Sequence, residues 1–214
     1  MTGKRIAWGA LALSAFAAFF GLGRYVTQAG EPPALVAWER AIVDHSTLIA
    51  WWLTWMCYPQ ILIPIALALS IVAWRVPEWR GRIVLSIVLL LVCWQGADLF
   101  QHVFARPRRL DWVVKHETAF SYPSSHAAMS FGFYGLWAAV LWAERARSTW
   151  YAVAGALLAE VAVAVCWSRL ALGAHYVTDL AGGALLGIAF TCAAIAFVPS
   201  ALPNPTKDAT STGA

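Results

Sequence analysis

Long apolar runs separated by short polar segments dominate this sequence. A helix that crosses the hydrocarbon core of a bilayer needs about 20 apolar residues. Six runs meet or approach this length, at residues 6–23, 46–74, 83–105, 124–143, 148–168 and 175–198. The pattern predicts an all-α, polytopic membrane protein with six transmembrane helices in a bundle. We expect one domain over residues 1–200.

The two ends of the chain and the first polar connector allow further expectations. The first run follows Lys4 and Arg5, as in a signal peptide, but it exceeds the usual h-region of about 7–15 residues, which favours a retained helix. Residues 33–43 carry Trp38 among charged and apolar residues. They suit either a short interfacial helix or an ordinary loop. Residues 201–214 predict a disordered cytoplasmic tail.

Composition excludes several classes of protein. Hydrophobic residues make up 61% of the chain and charged residues 12%, which is too apolar for a soluble domain, a disordered chain or a disulfide-stapled secreted module. The net charge of +4 comes from scattered basic residues without a nucleic-acid motif, so we expect no nucleic-acid partner. The four cysteines lie in apolar runs without metal-ligand spacing, which predicts core residues.

The basic residues of the loops indicate the orientation. With a cytoplasmic N-terminus, eight basic residues face the cytoplasm and seven face outside. Several of the seven lie in candidate chemical motifs, and setting those aside leaves the excess on the cytoplasmic side. We therefore expect both termini in the cytoplasm.

Three polar segments fall at the ends of the predicted spans. They are Arg106-Pro107-Arg108-Arg109, Pro123-Ser124-Ser125-His126, and a third segment that contains Ser168, Arg169, His175 and Asp179. Because successive spans alternate in direction, all three segments are expected on the outer face of the membrane. Segments of unrelated purpose would have no reason to collect basic residues and histidines there.

His175 and Asp179 carry the clearest chemical pattern. Residues four apart share one face of a helix. The carboxylate can therefore hold one ring N–H of the imidazole, and the other nitrogen remains free as a nucleophile or base. An isolated pair at this spacing is a weak signal, but its position beside Arg169 strengthens it.

The second segment has the features of a helix start that binds an anion. Ser124 or Ser125 can cap the helix, and its unpaired N–H groups and partial positive charge attract anions. His126 lies in the first turn, while Arg106 and Arg169 supply planar guanidinium groups that match phosphate oxygens. The alternatives are a capped helix with an interfacial histidine, and arginines that only reach for the membrane surface.

These segments resemble the three signature motifs of the type 2 phosphatidic acid phosphatase family. The family's third motif is Ser-Arg-x5-His-x3-Asp, and every fixed position matches. Its second is Pro-Ser-Gly-His, where Ser125 replaces the glycine. Its first is Lys-x6-Arg-Pro, where Arg106-Pro107 match and Leu99 stands in place of the lysine. The resemblance covers residues 83–190.

The resemblance implies a membrane enzyme that removes phosphate from lipids without a metal or another cofactor. His175 would attack phosphorus, Asp179 would orient it, and His126 would protonate the leaving oxygen and then activate water. The phosphate oxygens would be held by Arg106, Arg169, Ser124 and the amides near Ser125. We expect a bacterial inner membrane protein with the site facing the periplasm.

The substrate and two other functions remain alternatives at this point. The Arg106-Pro107-Arg108 run without the lysine resembles undecaprenyl diphosphate phosphatases, and we expect Arg108 and Arg109 to compensate for Leu99 and to meet a second phosphate. Phosphatidylglycerophosphate, phosphatidate and lipid A phosphates are the other candidate substrates. Glu160 and Asp98 would suit a transporter, and a vanadium-dependent haloperoxidase shares the motifs. The oligomeric state is open.

Overall fold

The computed structural model describes residues 2–43, 47–109, 118–198 and 201–202. Within these ranges the secondary structure is helical, and it contains eight α-helices. They are α1 (Thr2–Ala29), α2 (Pro33–Val43), α3 (Thr47–Thr54), α4 (Pro59–Arg75), α5 (Pro77–Phe104), α6 (Ser125–Ala143), α7 (Thr149–Ala171) and α8 (Val177–Phe197). The predicted all-α class is therefore confirmed. The loop 110–117 lies outside the described residues, as does the predicted disordered tail 201–214 except for residues 201–202.

Prolines and serines fix where several helices begin. Pro59 and Pro77 occupy the first positions of α4 and α5, where the missing N–H costs nothing. Ser124 and Ser148 cap α6 and α7, and each side chain accepts a backbone N–H of the first turn. At the other end of α5, Ala105 adopts a left-handed conformation with φ of 46°, which ends the helix immediately before Arg106.

The bundle is built around α6, which packs against α5, α7 and α8. α1 packs along α8, and Arg5 near its start donates to the carbonyl of Ala196 at the end of α8 (2.9 Å), so the two helices are antiparallel. The span predicted at 46–74 is divided. α3 and α4 meet at a 45° bend after the short 3-10 turn Trp55–Cys57, and Pro59 begins α4.

Length and composition support fewer membrane spans than the sequence pattern predicted. Four described helices (α1, α5, α7 and α8) qualify, or five spans if the bent pair of α3 and α4 counts as one. The prediction of six spans is not confirmed. The remaining run corresponds to α6, whose first turns carry the polar residues Ser125, His126 and Ser130. Neighbouring helices cover α6, so it does not need a continuous apolar surface. The helices still indicate a multi-pass membrane protein.

Glycines bring α8 unusually close to α6. A Cβ atom at Gly183 would lie 2.3 Å from the Ser124 carbonyl oxygen, and one at Gly187 would lie 2.5 Å from that of Ala128. Real Cβ contacts are not this short, so only glycine permits the observed approach. The contact also allows the Ser124 N–H to donate to the Asp179 carbonyl at 3.0 Å. Close helix packing therefore fixes the relative position of two segments that carry candidate chemistry.

We predict that Gly183→Ala destabilises the protein. The new methyl group would meet the α6 backbone, and overpacking of this kind costs about 1–3 kcal/mol or more. The measurement is thermal unfolding in detergent.

Gly135→Ala in α6 is the matched control, because no atom lies within 4 Å of the place that its new methyl group would take. Removing a helical glycine there should be neutral or stabilising by up to about 1 kcal/mol. Equal unfolding temperatures for the two variants would contradict the packing argument.

Candidate active site

The predicted chemical segments meet at one end of the bundle. Two helices begin there and two end there, so four helix termini surround one volume. The site residues are Arg106 and Arg108 after α5, Ser124, Ser125 and His126 at the start of α6, Arg169 in the last turn of α7, and His175 and Asp179 at the start of α8. This arrangement agrees with the expectation that all three segments share one end of the bundle.

Asp179 joins several elements of the site through its side chain. Its side chain is fully buried. One carboxylate oxygen, Oδ1, accepts from Arg106 Nη1 at 2.5 Å, and the other, Oδ2, accepts from the Ser121 hydroxyl and from the Tyr176 N–H (2.9 Å). The same Oδ2 lies 3.5 Å from His175 Nδ1, which is longer than an ordinary hydrogen bond. Asp179 thus combines a cap of α8 with an ion pair and faces the histidine ring.

The surroundings of His175 define its tautomer. Its other ring nitrogen, Nε2, lies 3.1 Å from Arg108 Nη1. A guanidinium group can only donate, so Nε2 is the acceptor and the proton belongs on Nδ1, which faces Asp179. Burial lowers the pKa of His175 to about 4, so the ring is neutral near pH 7. In this form the single electron pair of Nε2 accepts from Arg108, and it would become available for nucleophilic attack once Arg108 binds a phosphate instead.

The three arginines of the first segment have different partners. Arg106 is buried, and besides Asp179 it binds Glu31 Oε2 (2.9 Å) and the Thr178 hydroxyl (2.8 Å). Arg108 is half-buried, and it donates to the backbone carbonyls of residues 119, 120 and 174 as well as facing the histidine ring. The arginine next to the His175 ring is therefore Arg108 rather than the motif residue Arg106.

Arg109 does not fold over the site as the sequence predicted. Its guanidinium is buried and binds Glu39 Oε2 at 2.8 Å. This correction has a simple cause, because a buried charge requires a counter-charge and α2 supplies one. Leu99, where the family has lysine, is 61% exposed on α5. A side chain at that position of this chain points outward.

His126 and Arg169 also lie near His175. His126 is within electrostatic range of Arg169, His175 and Arg108, and its ring meets Tyr58 edge-on at 5.2 Å. Its Nε2 atom is buried and makes no hydrogen bond to the described part of the chain. Arg169 is fully buried, and its Nη1 donates to the Thr54 hydroxyl at 3.1 Å.

Several site residues were missed by the sequence analysis. They are Glu31, Glu39, Ser121, Tyr176 and Thr178. Burial, together with the nearby Glu31, raises the pKa of Glu39 to about 7. The available signal was the cluster of three arginines at residues 106–109, which calls for acidic partners from another segment.

Neither metal binding nor an interior ion path has a visible basis in the described ranges. No group of three or more histidine, cysteine or acidic side chains with the geometry of a metal site occurs among those residues. Glu160 and Asp98, which motivated the transporter alternative, are exposed on the outer surfaces of α7 and α5.

Comparison with known proteins identifies the family. The family model described as the PAP2 superfamily matches residues 82–202, which is more than half of the chain. The chain belongs to the PAP2 superfamily. The matched region contains all the predicted catalytic residues, and the resemblance seen in the motifs is therefore confirmed.

Two similar proteins carry informative names. A relative named putative undecaprenyl-diphosphatase YbjG, from Escherichia coli (strain K12), is 28% identical over 149 residues, which cover 69% of this chain and 62% of that protein. A crystal structure of a transmembrane PAP2-type phosphatidylglycerolphosphate phosphatase from Bacillus subtilis has a TM-score of 0.69 at 22% identity. The match covers 84% of this chain and 92% of the Bacillus subtilis chain. At this identity the structural match shows a shared fold.

We predict that Arg106→Ala destabilises the protein far more than Arg108→Ala. Without Arg106, the buried carboxylates of Asp179 and Glu31 lose their counter-charge, which costs about 3–5 kcal/mol. Arg108 is half-buried and bonds to three carbonyls and the histidine, so its loss should cost about 1 kcal/mol. Thermal unfolding of both variants in the same detergent is the measurement, and equal losses would refute this division of roles.

Proposed function

We propose that this chain is an integral-membrane lipid phosphatase that hydrolyses undecaprenyl diphosphate to undecaprenyl phosphate through a phosphohistidine at His175. The observation that carries the proposal is the orientation of that ring. Nδ1 faces Asp179 at 3.5 Å and Nε2 faces Arg108 at 3.1 Å. An arginine beside the nucleophilic nitrogen would place a phosphate group where that nitrogen can attack it.

The first step transfers the terminal phosphoryl group to the protein. His175 Nε2 forms a bond to phosphorus as the bond between phosphorus and the bridging oxygen breaks. The lipid phosphate leaves with the electron pair of that bond, and His126, which the negative charge of the bound diphosphate keeps protonated, gives it a proton. The Nδ1–H of His175 stays in place, and the positive charge of the phosphorylated ring is offset by Asp179.

The second step regenerates the enzyme. His126, now neutral, takes a proton from a water molecule as that water attacks phosphorus, and the P–N bond breaks with its electrons returning to Nε2. Inorganic phosphate leaves, and both histidines are again in their starting protonation states. No metal ion takes part in this scheme.

Charge stabilisation would come from two arginines and a helix terminus. Arg108 and Arg169 lie near His175 and His126 and carry permanent charges. The first-turn N–H groups of α6, at Ser125 and His126, point toward the same end of the bundle and add partial positive charge. Phosphoryl transfer depends mainly on such positioning and charge stabilisation. We assign Arg106 to the support of Asp179.

A diphosphate substrate is favoured by two considerations. One is the name of the Escherichia coli relative, a putative undecaprenyl-diphosphatase. The other is the placement of Arg108 beside His175, where its guanidinium can meet a phosphate group. Phosphatidylglycerophosphate is the second candidate, because the Bacillus subtilis protein with the same fold is named as a phosphatase of that lipid. We infer from the charges of the loops that the site faces the periplasm of a bacterial inner membrane.

The experiment that tests this function is phosphate release by the purified protein from a panel of lipids. We expect turnover of undecaprenyl diphosphate at unchanged rate in EDTA, no turnover by His175→Ala, and a loss of several orders of magnitude for Asp179→Asn, which removes the counter-charge of the ring. Dependence on added magnesium, or activity in His175→Ala, would contradict the scheme. Preferred turnover of phosphatidylglycerophosphate would select the second candidate.

A second prediction concerns the role of Arg108 in substrate choice. Arg108→Ala should raise KM for the diphosphate more than for undecaprenyl monophosphate, by about 10-fold or more, since a charge-assisted contact is worth about 1.5–3 kcal/mol. Steady-state kinetics on both lipids measure the ratio. Arg24→Ala, which replaces an exposed arginine near the end of α1, is the matched control and should leave the ratio unchanged. An unchanged ratio in Arg108→Ala would remove the support for a diphosphate.

A further inference from the structure

Glu39 lies outside the region that the family model matches, yet it reaches the candidate active site. It belongs to α2, and its side chain is fully buried. Its two oxygens have different partners. Oε2 accepts from Arg109 Nη1 at 2.8 Å, and Oε1 accepts from the backbone N–H of Val177 at 2.7 Å.

The Val177 N–H is a structurally important donor. Val177 is the first residue of α8, and the first N–H groups of a helix have no acceptor within it. The preceding N–H, of Tyr176, donates to Asp179. The start of α8 is therefore held by two carboxylates, one from its own first turn and one from α2. His175 is two residues before Val177, so movement of this terminus moves the histidine ring.

The same carboxylate also holds the segment that carries Arg108. Arg109 follows Arg108 directly, and its guanidinium lies over the Tyr176 ring at 5.2 Å, next to that of Arg106 at 4.4 Å. Glu39 thus binds one residue next to Arg108 and one residue near His175. The contact between Arg108 Nη1 and His175 Nε2 lies between these two attachment points.

We propose that Glu39 is a positioning residue for phosphoryl transfer, which holds Arg108 and His175 in register by bonding Arg109 and the start of α8 together. The inference rests on the proposed function. It predicts an effect on the chemical step, because a small displacement of a nucleophile lowers the rate even when the substrate still binds. The role requires that both side-chain oxygens of residue 39 accept hydrogen bonds. A carboxamide at this position keeps one of these two acceptors.

The test compares Glu39→Ala with Glu39→Gln in the full-length protein. We expect Glu39→Ala to lower kcat for undecaprenyl diphosphate by about 10- to 100-fold with KM changed by less than about threefold. Glu39→Gln keeps an oxygen for the Val177 N–H but not the second acceptor for Arg109, so it should recover part of kcat. A Glu39→Gln variant that is as slow as Glu39→Ala, or a loss that falls on KM alone, would overturn the proposal.

Val177→Pro is a matched variant that removes the donor and leaves Glu39 in place. Proline is tolerated at the first position of a helix, and Tyr176 already has the extended conformation, φ −75° and ψ 156°, that a following proline requires. We expect Val177→Pro to lower kcat by about 10-fold. Adding it to Glu39→Ala should cause little further loss, because both changes remove the same bond. Full additivity would overturn the proposal.

Hydrogen exchange gives a readout that does not depend on activity. The amides of residues 174–180 should exchange faster in Glu39→Ala than in the unmodified protein, and unchanged exchange would overturn the positioning role even if Glu39→Ala were slow. If Glu39→Ala does not fold, as judged by thermal unfolding, Glu39→Gln and Val177→Pro carry the test. Absence of phosphate release by the unmodified protein would instead refute the proposed function.

Discussion

The buried ion pair between Arg106 and Asp179 is the interaction on which the rest of the site depends. It joins the residue after α5 to the first turn of α8 at 2.5 Å, where neither charge reaches water. A buried charge is tolerated only when its remaining donors or acceptors are also bonded. Glu31, Thr178, Ser121 and the Tyr176 N–H meet that demand. The carboxylate is thereby fixed in front of His175, so the network that stabilises the terminus also orients the nucleophile.

The same end of the bundle depends on helix packing. Gly183 lets α8 approach the Ser124 carbonyl, and the Ser124 N–H then reaches the Asp179 carbonyl. This contact positions the N-terminal turn of α6 relative to the first turn of α8, which carries Asp179. Because α6 lies between α5, α7 and α8, its first turn can carry His126 without meeting lipid.

The sequence predicted the elements that follow from local rules and missed those that depend on distant partners. The cap at Ser124 is local, and the structure has it. The spacing of His175 and Asp179 brings ring and carboxylate within 3.5 Å, although His175 lies before α8 rather than on a shared helix face. The partners of the arginines are not local. Arg106, Arg108 and Arg109 are neighbours in sequence, and only the tertiary position of Glu31 and Glu39 separates their roles. The outward direction of Leu99 likewise depends on how α5 is rotated in the bundle.

The most direct test of this account is the identity of the phosphorylated residue during turnover. Rapid quenching of the protein with undecaprenyl diphosphate that is radiolabelled in its terminal phosphate, followed by peptide mapping, locates the transferred group. The account predicts an acid-labile, base-stable label on His175 that forms and decays at rates compatible with kcat. A label on another residue, or turnover without a labelled protein at any time point, would contradict it.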